Sequence, residues 1–161
     1  MNWTLKTFND LTIDELYALL QLRVEVFVVE QNCPYKEIDN NDQVAVHLMG
    51  YQSGCLIAYS RLFKPGDYYD EASIGRVIVK KDFRTYGYGA QLIEQSIKHL
   101  EELAPHATIK IQAQHYLHQF YRSFGFQRIS EIYEEDGIPH IDMIKTSHQL
   151  EKEVNTPHAN S

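Results

Sequence analysis

The chain is 161 residues long, with 15 Lys and Arg against 22 Asp and Glu, a formal charge of −7. Its 43% apolar and 23% charged content suits one sizeable core and excludes disordered and collagen-like classes. A net acidic surface does not draw in nucleic acid or an anionic membrane by its bulk field, so neither partner is expected, and an anionic ligand needs a local basic cluster.

In chain order, residues 3–8 read as a first strand. Thr12-Ile13-Asp14-Glu15 is a capping box, and Leu16, Leu20, Val24 and Phe27 follow at helical spacing, which predicts a helix over 13–29. Cys33-Pro34 breaks it, and an acidic loop runs over 37–42. Runs 44–51 and 55–63 around Gln52-Ser53-Gly54 predict a hairpin. Residues 73–79 are a β-branched strand whose Gly75 suggests a bulge. A helix over 87–103 carries Leu92, Ile93, Ile97 and Leu100 on one face and ends before Pro105. Strand 108–113, a short helix 117–123 ended by Gly125, and strands 126–133 and 138–145 across Asp136-Gly137 complete the order. The fourth and fifth strands flank a helical crossover and should be parallel, the rest antiparallel. The fold class is α/β: a mixed, mostly antiparallel twisted sheet with flanking helices. One domain is expected over 1–145, followed by a polar, flexible tail over 146–161.

The most informative stretch is Val77-Ile78-Val79-Lys80-Lys81-Asp82-Phe83-Arg84-Thr85-Tyr86-Gly87-Tyr88-Gly89-Ala90, read as strand, loop and helix start. Gly87 and Gly89 let backbone approach a bulky ligand. The free amides of the helix start favour negative charge, and Lys80, Lys81 and Arg84 concentrate positive charge beside them. That is a cradle for a diphosphate. A P-loop is absent, and Gly87-Tyr88-Gly89-Ala90-Gln91-Leu92 lacks the third small residue of a dinucleotide fingerprint, which disfavours a nicotinamide oxidoreductase.

Arg84-x-x-Gly87-x-Gly89 after a Val-Ile-Val strand resembles the acetyl-CoA signature of the GNAT N-acetyltransferase superfamily, Q/R-x-x-G-x-G/A. Phe120-Tyr121-Arg122-Ser123-Phe124-Gly125-Phe126, one helix and one strand later, resembles its second signature. The segments 22–35 and 133–140 look like the ElaA-type branch. The resemblance implies that the fourth and fifth strands splay apart and take pantetheine between them, beside Val77, Ile78 and Val79. The diphosphate would lie on Arg84, Thr85, Tyr86, Gly87, Tyr88, Gly89 and Ala90. Gln114 stands where many relatives carry a cofactor-contacting Asn. An acceptor amine would attack the thioester directly, and Tyr121 matches the family's general-acid tyrosine; the other reading of Tyr121 is packing with Phe120, Phe124 and Phe126.

An amine of pKa about 10.4 must lose a proton before attack. Glu30, His47, Glu71 and His140 are the candidates to line the acceptor side or accept that proton. The acidic loop 37–42 and Glu134-Glu135-Asp136 would favour a cationic acceptor, or simply be solvated. Polyamine, amino sugar, peptide N-terminus and lysine all stay open. His115 and His118 have no third ligand, so no metal is expected. The opening residues lack a signal-peptide core, no apolar run approaches a membrane span, and Cys33 and Cys55 form no CxxC pair; a cytoplasmic location with reduced thiols is expected, Cys33 being the one that could sit by a pocket. A non-catalytic acyl-CoA-binding or sensor module is the competing function. Edge strands of the last hairpin could pair two copies into a homodimer.

Overall fold

The computed structural model describes residues 1–147. Strand β1 is Asn2–Thr7 and helix α1 is Ile13–Val24, continued by wider π-helical turns over Glu25–Glu30. Then come β2 (Val46–Gln52), β3 (Cys55–Phe63), β4 (Ala72–Val79), α2 (Tyr88–Leu103), β5 (Ile109–Gln114), α3 (His118–Arg122), β6 (Gln127–Arg128), β7 (Tyr133–Glu135) and β8 (Ile138–Lys145). The strands form one sheet in the order β1-β2-β3-β4-β5-β8-β6, with β7 on β8. Among the described residues only β4 and β5 pair in parallel, as expected of the crossover through α2. Among the described residues no helix is long and apolar enough to cross a membrane.

Local chemistry explains the element ends. Thr12 accepts from the Glu15 amide while Glu15 accepts from the Thr12 amide, so the capping box is complete. The tight turns at Ser53-Gly54 and Asp136-Gly137 each place two residues at positive φ, the condition for a two-residue hairpin. The helix expected over 13–29 changes character at Glu25: Gln31 N–H donates to the Val26 carbonyl at 3.2 Å and Cys33 N–H to the Val28 carbonyl at 3.0 Å, both five residues back. The β-branched Val24, Val26, Val28 and Val29 crowd a regular turn there.

The fully buried residues of α1 are Leu19, Leu22 and Arg23, with Val26 in the turns beyond, and Leu16, Leu20 and Phe27 pack against them half-buried. Two further expectations are corrected. The β4 bulge lies one residue past Gly75: Arg61 pairs with Gly75 and Tyr59 with Ile78, leaving Arg76 and Val77 without register partners in β3. The strand expected over 126–133 is split into β6 and β7, because the Ser130 hydroxyl accepts the Asp142 amide at 2.8 Å in place of a ladder carbonyl. The tail expected from 146 lies outside the described residues beyond 147; Ser147 itself is buried.

Both faces of the sheet are covered. Leu92, Ile93 and Leu100 of α2 pack with Leu48, Ala58, Leu62, Ile74 and Ile111, and a Ser96–Ser60 hydroxyl bond of 2.8 Å ties α2 to β3. On the other face Leu19, Leu22 and Val26 meet Met49, Tyr59 and Ile78. The alternation of Leu48 with Met49 and of Ala58 with Tyr59 is the strand period dividing the two cores.

Candidate active site

Strands β4 and β5 pair only at Ala72–Ile109 and Ser73–Lys110. Beyond that they part, and a cavity of about 370 Å³ opens among the π-helical turns, β3, β4, β5, the start of α3 and the β7–β8 hairpin. Val77, Ile78, Val79, Arg84, Gln114, Tyr121, Glu30 and His140 all line it, so a set drawn from distant stretches of sequence converges. His47 and Glu71 do not line it. His47 is fully buried, its Nε2 on the Asp42 carbonyl at 2.9 Å and its Nδ1 on the Tyr59 hydroxyl at 2.6 Å. A carbonyl only accepts, so Nε2 carries the proton and Nδ1 accepts from Tyr59. Burial outweighs the pull of Asp42 and holds this imidazole below its ordinary pKa.

Tyr121 is 7% exposed and packs edge-on against Phe120 and Phe126. Burial, with Tyr116 adding to it, pushes its phenol above the ordinary value, so the hydroxyl keeps its proton at neutral pH. The expected aromatic packing and the cavity position therefore coexist. His140 is half-buried, stacked on Tyr133, with Nδ1 2.7 Å from the Ile138 carbonyl. A carbonyl only accepts, so Nδ1 carries a proton and Nε2 is the nitrogen free of this bond.

The loop before α2 reaches this cavity through Arg84, whereas Thr85, Tyr86, Gly87, Tyr88, Gly89 and Ala90 do not line it. Thr85 and Gly87 both sit at φ +80°, and Gly87 begins α2 without a side-chain cap. The first amides of α2, from Tyr88 to Ala90, precede the first intrahelical bond, from the Gln91 amide to the Gly87 carbonyl at 3.3 Å. They are left for an outside acceptor. A Cβ built on Gly89 would meet nothing closer than 4.0 Å, so the fold itself does not demand glycine there. Arg84 Nε donates to the Val79 carbonyl at 2.8 Å and its Nη2 to Glu30 at 2.7 Å.

Sequence reasoning missed the ionic cluster that backs the cavity. Arg23, Arg61 and Arg76 are matched by Glu37, Asp39 and Asp42 through contacts of 2.6 to 3.5 Å. Burial disfavours charge on Asp39 and Asp42, but the guanidiniums of Arg61 and Arg23 outweigh it and hold both carboxyls below the usual range. The acidic loop is therefore internally neutralised and unavailable to a cationic acceptor. The signal lay in equal numbers: three arginines in apolar or β-branched runs and three carboxylates in one loop. Arg76 also sits at φ +49°, a conformation costing on the order of 1–3 kcal/mol for a residue with a side chain. Among the described residues no group of three His, Cys, Asp or Glu is arranged to hold a metal, and Cys33 lines the cavity as a half-buried thiol.

Comparison with known proteins agrees with this geometry. The family model for the acetyltransferase (GNAT) domain matches residues 11–147. Protein ElaA of Escherichia coli (strain K12) is 42% identical over 147 residues, covering 90% of this chain and 96% of that protein. Its crystal structure superposes with a TM-score of 0.85 at 42% identity, covering 89% of this chain and 98% of that one. An acyl-CoA N-acyltransferase from Pseudomonas aeruginosa is 45% identical with a TM-score of 0.86, covering 90% of this chain and 99% of that one. With the splayed strands, the uncapped helix start and these matches taken together, the chain belongs to the GNAT acetyltransferase family, in its ElaA-type branch.

Proposed function

We propose that the chain is a cytoplasmic N-acetyltransferase that moves an acetyl group from acetyl-CoA to a small-molecule or peptide amine, with Tyr121 as the general acid. One observation carries the reading: β4 and β5 part after two register pairs, and Tyr121 and the β4 bulge both line the cavity that opens. The name of the Pseudomonas relative supports the same class for this chain.

The residues fit such a ligand. The parted edge of β4 at Val77 and Val79 suits an extended arm carrying amides. Arg84 occupies one lone pair of the Val79 carbonyl and leaves the other. The amides of residues 85–90, with Arg84 beside them, suit a diphosphate. When bound, the thioester supplies the electrophilic carbon.

Each remaining step falls to a residue of this chain. Arg76 and Val77 lack register partners in both β3 and β5, so their amides are the donors for charge developing on the carbonyl oxygen as the C–N bond forms. Tyr121 holds the proton that the departing sulfur takes as the C–S bond breaks. His140, through the Nε2 left free of the Ile138 bond, accepts the proton that the amine nitrogen sheds. Glu30 is the weaker choice because Arg84 already engages its carboxylate. Solvent then returns a proton to Tyr121 and removes one from His140.

Thiol release from acetyl-CoA with a panel of diamines, amino sugars, peptides and lysine, with acetylated products weighed by mass spectrometry, tests the proposal. Amine-dependent release is expected. Saturable CoA binding with no release for any amine would leave a non-catalytic acyl-CoA-binding module.

A further inference from the structure

The ionic cluster behind the cavity takes no part in the steps above, yet one of its members is the strained residue of the β4 bulge. Arg76 adopts φ +49° inside a strand. Neither β3 nor β5 supplies a register partner there, so the sheet ladder does not set this conformation. If the chain needed only a positive φ, glycine would serve at lower strain. An arginine at this position implies that the side chain is used.

That side chain is held from four directions. Its Nε donates to Glu37 Oε1 at 2.9 Å, and its Nη2 lies 3.5 Å from Asp39. The guanidinium sits over the rings of Phe27 and Tyr35, 5.7 and 5.4 Å from their centroids. Glu37 is itself immobilised. Arg23 Nε donates to the same oxygen at 2.6 Å, Arg23 Nη2 to the Glu37 carbonyl at 3.2 Å, and the Tyr35 hydroxyl to Oε2 at 2.5 Å. Arg23 is fully buried on α1 and Glu37 is 3% exposed. A continuous chain of short contacts thus runs from α1 through Glu37 to Arg76 and the bulge.

We infer that Glu37 and Arg76 form a clamp that positions the β4 bulge for acyl transfer, fixing the direction of the amide at Val77. The inference rests on the acetyltransfer reading and adds to it two positioning residues that do not touch the reacting atoms. A hydrogen-bond donor is effective on developing charge only when aimed in advance, and the clamp supplies that aim where the ladder cannot.

The test uses the full chain with Arg76→Gly and Arg76→Lys. Glycine keeps the positive φ without strain and removes the clamp, while leaving Glu37 paired with Arg23. Lysine can still reach Glu37 with a single donor. Steady-state kinetics, CoA titration and ¹⁵N relaxation of the Val77 amide are measured together. For a folded Arg76→Gly chain, with rates referred to the folded fraction seen by near-ultraviolet circular dichroism, kcat is expected to fall about tenfold or more while KM for acetyl-CoA stays within about threefold. The Val77 order parameter is expected to drop from about 0.85 toward 0.6. Arg76→Lys should recover most of both. An equally ordered Val77 amide, or a kcat within about twofold of the parent, overturns the clamp. Failure of the acetyltransfer reading is seen separately, since the parent chain itself would then transfer no acetyl group, whereas the relaxation comparison reads the clamp with or without turnover.

Discussion

Arg84 Nη2 donates to Glu30 Oε2 at 2.7 Å, joining the loop before α2 to the end of the first helix 54 residues earlier in the chain. Both side chains are part-exposed, at 40% and 29%, so the pair contributes under about 1 kcal/mol to stability. Its effect falls on ligand binding, because the cation offered to a diphosphate is already engaged. Glu30→Gln is expected to leave thermal stability unchanged and to tighten CoA binding by up to about fivefold, the equivalent of that energy. Weaker binding in calorimetry would contradict the arrangement.

Tyr121→Phe removes one hydroxyl and keeps the ring that packs on Phe120 and Phe126. Folding should survive, and turnover should fall by about 10²- to 10⁴-fold with CoA affinity retained. Because burial holds the phenol above its ordinary pKa, deprotonation of Tyr121 does not set the rise of activity on the acid side of the pH profile. His140→Gln, which removes the assigned proton acceptor, should lower turnover while CoA affinity is retained. Steady-state rates for both variants across pH give the check.

The two glycines of the cradle should respond differently. Gly87 is at φ +80°, so Gly87→Ala costs on the order of 1–2 kcal/mol and turns the amides beside it. CoA affinity is expected to fall about tenfold. Gly89 has open space for a Cβ, with Phe120 and Val79 at 4.0 Å. Gly89→Ala should hold or raise the melting temperature, since alanine is favoured over glycine in a helix by about 0.5–1 kcal/mol, and should keep CoA affinity within about threefold. Melting curves and titrations of the pair decide it.

Acid sensitivity has a defined first step. His47 is held below its ordinary pKa by burial, so just below about 6.5 the unfolded chain binds a proton that the native chain does not. Stability therefore rises with pH through that window and levels off above it. Asp39 and Asp42, held below the usual carboxylate range, contribute the next loss, below about pH 4. Urea midpoints should fall between about pH 7 and 5, and His47→Gln, though less stable throughout, should flatten that segment. A parent midpoint that is constant over this range would contradict the assignment.

The parts of the fold that local chemistry governs were readable from the sequence. The capping box at Thr12, the glycine turns at Gly54 and Gly137, and the helical crossover from β4 to β5 each follow from a handful of adjacent residues. So does the start of α2, where Gly87 takes the positive φ that begins the helix. What escaped was decided by distant partners. Arg23 reads as a polar residue on a helix surface until Glu37 and Asp42 are brought to it. The left-handed Arg76 is invisible beside Gly75, which looks like the better bulge residue. His47 resembles a candidate base until its burial is known. The break at Ser130 depends on a hydroxyl reaching an amide 12 residues ahead.

The central claim is that the parted strands and the uncapped start of α2 hold a CoA thioester. Titration calorimetry of the full chain with acetyl-CoA measures it most directly. Saturable, one-site binding in the micromolar to low-millimolar range is expected, about tenfold weaker in Gly87→Ala and unchanged in Tyr121→Phe. An absence of saturable heat at millimolar acetyl-CoA, or binding indifferent to Gly87→Ala, would contradict it.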